Sequence, residues 1–168
     1  MSSEVARLTR GPDPGEEPVR GYLISVAVRS GLAAEAIDKA KAVLRDIVEL
    51  PVDAFVSGDA VAALPEWFVQ ACAAAETDEE RAAWLQWWRS LDEDARARAA
   101  SERPWTVDDW LHWMRPDERQ WVWWESRVGA SDAGLVSVEV ADWPVAIGSL
   151  LWLLRASGAD DLVVEGAA

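Results

Sequence analysis

The chain holds one histidine and one cysteine, and these two residues set the narrowest limits on its chemistry. His112 lies in the run DDWLHWM, four positions after Asp108, the spacing that puts two side chains on one face of a helix. Such a pair supplies two ligands to a metal. Zinc asks for three or four, with His or Cys prominent, and Cys72 is 40 residues away. The plainer account is a first-turn acid beside an ordinary histidine, so no metal and no other cofactor is expected. Cys72 and His112 could also form a nucleophile and its base. Cys72 sits in VQACAAAE, however, an alanine-rich helix where a buried and inert thiol is the usual outcome. The acidic clusters Asp78-Glu79-Glu80, Asp92-Glu93-Asp94 and Asp108-Asp109 fall at expected helix starts, where the helix dipole accounts for them without catalysis. Phosphate-loop, dinucleotide, serine-hydrolase and calcium-loop spacings are all absent. No catalytic residue is therefore assigned.

Tryptophan is the other chemically conspicuous residue, with 12 among 168 positions and three within RQWVWWESRV. Aromatic walls suit apolar or cationic ligands, and tryptophan anchors many protein interfaces. Large side chains at helical spacing also simply fill a core. The tract 119–128 divides on a strand into Val122, Trp124, Ser126 and Val128 on the core face and Trp121, Trp123, Glu125 and Arg127 on the other. Glu139 is expected to pair with Arg127 across the hairpin. Trp121 and Trp123 are thus either covered by other elements or part of a functional face. The residues expected to meet a partner or ligand are Trp121, Trp123, Trp113, His112, Arg115, Glu125 and Trp88.

Composition bounds the setting. The chain is one typical domain in length, and 51% hydrophobic with 27% charged residues is the composition of a folded protein. The formal net charge is −14, and it is unevenly spread. Residues 1–50 carry 8 acids and 7 bases (−1), residues 51–118 carry 15 and 6 (−9), and residues 119–168 carry 7 and 3 (−4). Such a field repels phosphate backbones, which argues against nucleic acid, and it speeds encounter with a basic protein. Solubility alone is also served by it. The longest apolar run, Val145 to Leu154, is too short to span a bilayer, and no apolar segment follows the first positive charges as in a secretory signal. A single cysteine excludes an internal disulfide framework. A cytoplasmic protein away from membranes is expected.

The elements that must position these residues can be read in order. Residues 1–20, rich in glycine and proline, read as a flexible N-terminal arm, and 21–168 as a single α+β domain. Tyr22–Val28 alternates as a strand, and an amphipathic helix follows Gly31 to Leu50, with the stripe Ala33, Ala36, Ile37, Ala40, Val43, Leu44 and Ile47. Residues 52–118 read as wholly helical and hold seven tryptophans. Pro65 opens one helix, Thr77 with Glu80 forms a capping box, Ser90 to Glu93 repeats that pattern, and Thr106 caps a further helix. Gln120–Val128 and Leu135–Val140 read as a hairpin, with Asp132 in its turn. A helix from Trp143-Pro144 to Ala156 and a short strand at Leu162–Val164 complete the chain. Without its middle, this order is the ferredoxin-like βαββαβ pattern, with 52–118 a tryptophan-rich helical insertion between the first helix and the second strand. The alternative is another α+β sheet in which the middle helices join the main core.

The tract PWTVDDWLHWMRPDERQWVWWESRV, followed by ADWPVAIGSLLWLLRASGA, resembles uncharacterised tryptophan-rich, acidic actinobacterial proteins, over about residues 65–159. That resemblance implies no activity, cofactor or functional residue. The expected function is a non-enzymatic interaction module whose acidic, tryptophan-rich segment binds a basic or apolar protein, an immunity or antitoxin-type inhibitor being one concrete form. The alternative is a small enzyme or ligand-binding domain in which His112, Trp113, Arg115 and Glu125 converge on a pocket between sheet and insertion. The sheet alone also admits a homodimer.

Overall fold

Alternating apolar residues at Tyr22–Val28 do form a strand. The computed structural model describes residues 3–29, 31–130 and 133–166, and in it β1 (Tyr22–Arg29) buries Ile24, Val26 and Val28 on one face. β3 (Ala133–Val140) runs antiparallel to β1, placing Val138 opposite Ile24 and Val136 opposite Val26. β2 (Trp121–Val128) pairs antiparallel outside β3, and β4 (Leu162–Glu165) outside β1, for a sheet order of β2-β3-β1-β4. Asp132, expected in the β2–β3 turn, lies outside the described residues.

The predicted apolar stripe of α2 (Ala33–Ile47) is buried at all of its positions. It shares one core with Leu150, Leu153 and Leu154 of α9 (Gly148–Ala156) and with the valines of β3. Gly134 allows α2 to approach β3, since a Cβ there would lie 2.6 Å from Ile37 Cδ1. Among the described residues the protein is α+β, with nine helices and four antiparallel strands.

The segment expected as a flexible arm is built into the fold. It carries α1 (Ser3–Arg10), whose Leu8 is fully buried and whose Glu4 and Arg7 are almost so. Arg119 grips the Glu4 carboxylate with both terminal nitrogens (3.1 and 2.5 Å), and the Trp123 backbone N–H donates to the same carboxylate at 2.8 Å. Glu4 thus covers part of the outer edge of β2, where unpaired amides would otherwise be exposed. Proline and glycine at 11–18 masked this helix in the sequence, because its own eight residues hold only two sizeable apolar side chains, Val5 and Leu8.

Between α2 and β2 come α3 (Val52–Ser57), α4 (Asp59–Ala63), α5 (Glu66–Ala71), α6 (Asp78–Ser90), α7 (Glu93–Glu102) and α8 (Val107–Met114). Their place in chain order is that expected of the insertion, but Phe68, Trp110, Leu111 and Met114 belong to the main core. The Trp110 indole N–H donates to the Ser149 carbonyl at 2.9 Å, tying α8 to α9. Helices α6 and α7 differ, since neither has a buried residue. Thr77 forms the expected capping box with Glu80, and Thr106 accepts from the Asp109 N–H. The cap of α7 is Asp92 rather than Ser90.

A β-bulge reverses the expected faces of β2 as far as Trp124, while Ser126 and Val128 keep the expected core side and Glu125 and Arg127 the other. Trp121 and Trp123 stand opposite Val140 and Val138, whereas Glu125 stands opposite Ser137 and Ser126 opposite Val136, leaving Trp124 as the extra residue. Side chains alternate strictly along a strand, so one inserted residue exchanges the faces on either side of it. Trp121 and Trp123 are therefore fully buried core residues, and the Trp121 indole donates to Ser149 Oγ at 3.0 Å. Trp124 is buried apart from that core, with the Arg7 guanidinium 4.8 Å from its ring centre. Trp121 and Trp123 cannot belong to a functional face.

Candidate functional site

With Trp110, Trp121, Trp123 and Trp124 buried, three of the remaining tryptophans stand on the α6–α7 hairpin, while Trp143, 48% exposed, lies outside it. Trp84, Trp87 and Trp88 follow at i, i+3 and i+4 on α6, so they share one side of the helix. Trp84 and Trp88 stack at 6.1 Å with planes 21° apart, and Trp84 meets Trp87 at 6.3 Å. The Arg103 guanidinium lies 3.9 Å from the Trp84 ring centre and that of Arg96 lies 5.4 Å from Trp88, within the range of cation–π attraction. The Trp88 indole donates to the Arg96 carbonyl at 3.1 Å, and Arg96 donates back to the carbonyls of Trp88 and Arg89. Trp88, an expected binding residue, is thus half-buried and closes the hairpin.

Trp87 is left. It is 52% exposed and, with Leu91, Ala95 and Ala99, lines a shallow hollow of about 250 Å³ flanked by Arg98 and Glu102. The cause lies in α7, EDARARAASE, whose apolar residues are all alanine and cannot cover an indole. Acids ring the hairpin: Asp78, Glu79 and Glu80 at the start of α6 and Asp92, Glu93 and Asp94 at the start of α7 are all exposed. Arg81 lies 3.7 Å from Asp109 and 3.9 Å from Glu76, and Glu76 also pairs with Arg103, which anchors the hairpin to the body.

The pocket expected from His112, Trp113, Arg115 and Glu125 does not assemble. His112 is exposed and shares with Arg115 a hollow of about 320 Å³ that is walled by Phe55, Val56 and Val61. Trp113 is half-buried, edge-on to the His112 ring at 5.4 Å. Arg115 is held by Asp117 (3.0 and 2.6 Å), and this partner holds the Asp117 carboxyl below the usual carboxylate range. Glu125 lies at a different hollow, with Arg10 and Lys41, and is bound by Arg127 at 2.9 Å. The expected Glu139–Arg127 pair is therefore replaced. Glu139 is buried and instead faces Arg7 at 3.5 Å and accepts from the Arg20 backbone N–H.

Burial pushes the Cys72 thiol above its ordinary range, with an opposing contribution from the Trp152 indole. A protonated thiol is a weak nucleophile. No group of three or more His, Cys, Asp or Glu side chains is placed to hold a metal among the described residues. Nor is any helix among them long and apolar enough to cross a membrane. Trp87 is one of the seven tryptophans of residues 52–118 and is not among the residues the sequence singles out. The signal that could have found it is the mismatch between three tryptophans on α6 and an α7 whose apolar residues are all alanine. No protein-family model, curated protein or solved structure matches this chain.

Proposed function

We propose that this chain is a non-enzymatic protein-interaction module and that the α6–α7 hairpin is its docking surface for a basic or partly apolar protein. One observation carries the proposal: α6 spans 13 residues, bears three tryptophans and buries none of its residues. A half-exposed indole beside leucine and alanine offers the large apolar area on which binding hot spots are built. The acids at both helix starts favour a cationic partner and speed its approach. An immunity or antitoxin-type inhibitor of a basic toxin is one concrete form of such a module, acting in the cytoplasm. Its sheet is read as a ferredoxin-like βαββαβ plan carrying the helical segment. The order β2-β3-β1-β4, all antiparallel, with α2 and α9 over one face, supports that assignment.

The test is affinity capture from an extract of the native host, using the intact chain and a Trp87→Ser, Leu91→Ser variant. The expected result is a basic protein retained in stoichiometric amount by the parent chain, released by raised salt and lost with the variant. Equal retention by both chains, or no stoichiometric partner, defeats the proposal.

A further inference from the structure

A second site shares no lining residue with the hollow at Trp87. Two cavities are formed where α4 meets α8, and the larger, which α5 also lines, has a volume of about 430 Å³. That is the size of many small-molecule sites, about 300–1,000 Å³. Val61, Val69, Cys72, Ala74 and Val107 give it an apolar wall, and Asp108 stands at its rim. The floor is fixed by backbone: the Ala73 N–H donates to the Trp105 carbonyl at 2.8 Å, and Ala73 bridges Thr106 in parallel. The cavity is thus shaped before any ligand arrives, which lowers the cost of ordering on binding.

Charge identifies the occupant. Asp109 is engaged by Arg81, whereas the Asp108 side chain has no hydrogen-bond or ion-pair partner among the described residues. Among the residues that line this cavity Asp108 is the one charged side chain, and burial moves the Cys72 thiol further above neutrality. The chain's net charge of −14 further raises the local concentration of cations and depletes anions. We infer that this cavity binds a small apolar organic cation, its ammonium group on the Asp108 carboxylate and its hydrocarbon body against Val61, Val69 and Val107. The neighbouring hollow of His112 and Arg115 shares Val61 and Asp108 with this cavity.

Cys72, the only cysteine, reports occupancy directly. N-ethylmaleimide alkylation of the intact chain is followed with n-hexylammonium, hexanol or hexanoate as the added probe, and binding is measured in parallel by calorimetry. Hexylammonium is expected to slow alkylation and to bind roughly two- to fivefold more tightly than hexanol, the range of an exposed ion pair, with hexanoate the weakest. Asp108→Asn should bring hexylammonium level with hexanol, and Ala74→Phe, which fills the cavity at an exposed position, should abolish protection by all three. The inference is overturned if no probe protects Cys72, if hexanoate protects as well as hexylammonium, or if the ammonium preference survives either substitution.

Discussion

Replacing Glu4 by alanine tests how firmly α1 is built into the fold. The Glu4 side chain is 7% exposed and that of Arg119 10%, with the closest contact at 2.5 Å. The substitution leaves a nearly buried guanidinium without its counter-charge and frees the Trp123 N–H, which donates to Glu4 at 2.8 Å. Breaking one side of a buried pair costs about 3–5 kcal/mol. An unsatisfied buried amide costs about 1–3 kcal/mol, part of which the first figure already contains. A loss of about 3–4 kcal/mol is therefore expected, a large share of the roughly 5–15 kcal/mol that holds a typical domain. Urea unfolding followed by tryptophan fluorescence gives the midpoint and slope, and the midpoint should fall at unchanged slope. Amide exchange at Trp123 should accelerate in the variant. Glu4→Gln, which keeps an acceptor for the Trp123 N–H, should lose less. A loss below about 1 kcal/mol, the value of a surface pair, with Trp123 still protected would refute the assignment of α1 as a structural cap on β2.

Trp110→Ala should cost about 3–5 kcal/mol as a core truncation, whereas Trp87→Ser should stay within about 0.5 kcal/mol; thermal melts of both variants check the contrast. At Gly148 a Cβ would lie 2.9 Å from the Trp105 ring, so Gly148→Val should destabilise by about 1–3 kcal/mol through overpacking, again read by urea unfolding. Thr77 accepts from the Glu80 N–H at 3.2 Å, and Thr77→Ala should cost about 0.5–2 kcal/mol, seen as faster amide exchange in α6 with the β3 amides unchanged. Arg115 lowers the Asp117 carboxyl. Its contribution to stability is therefore present above the ordinary value of about 4 and is lost as pH falls through the lowered folded value. An NMR titration should show the Asp117 midpoint rising in Arg115→Gln, and an unchanged midpoint would remove Arg115 as the cause.

Period and caps made much of the fold legible. The α2 stripe was complete because seven apolar residues at helical spacing leave one solution, and the β1 and β3 valines alternate cleanly. Thr77 and Thr106 marked two helix starts correctly. The middle of the chain read as helical, yet its spacing could not separate Phe68 and Trp110, which enter the core, from Trp87, which does not. That distinction depends on what lies opposite, and for α6 the partner is a helix whose apolar residues are all alanine. The bulge at Trp124 was illegible because alternation assumes a regular ladder, and a single extra residue moved Trp121 and Trp123 into the core. Helix α1 was hidden because polar anchors, Glu4 on Arg119 and Arg7 on Glu139, hold it as much as apolar ones. The expected His112, Arg115 and Glu125 cluster failed because sequence proximity between α8 and β2 does not bring their outer faces together.

Oxidative footprinting of the captured complex tests the central proposal most directly, since Trp87 and Trp143 are similarly exposed in the free chain, 52% and 48%. Docking on the hairpin predicts that Trp87 oxidation slows several-fold on partner binding while Trp143 stays at its free rate. Protection of Trp143 with Trp87 unchanged would contradict it.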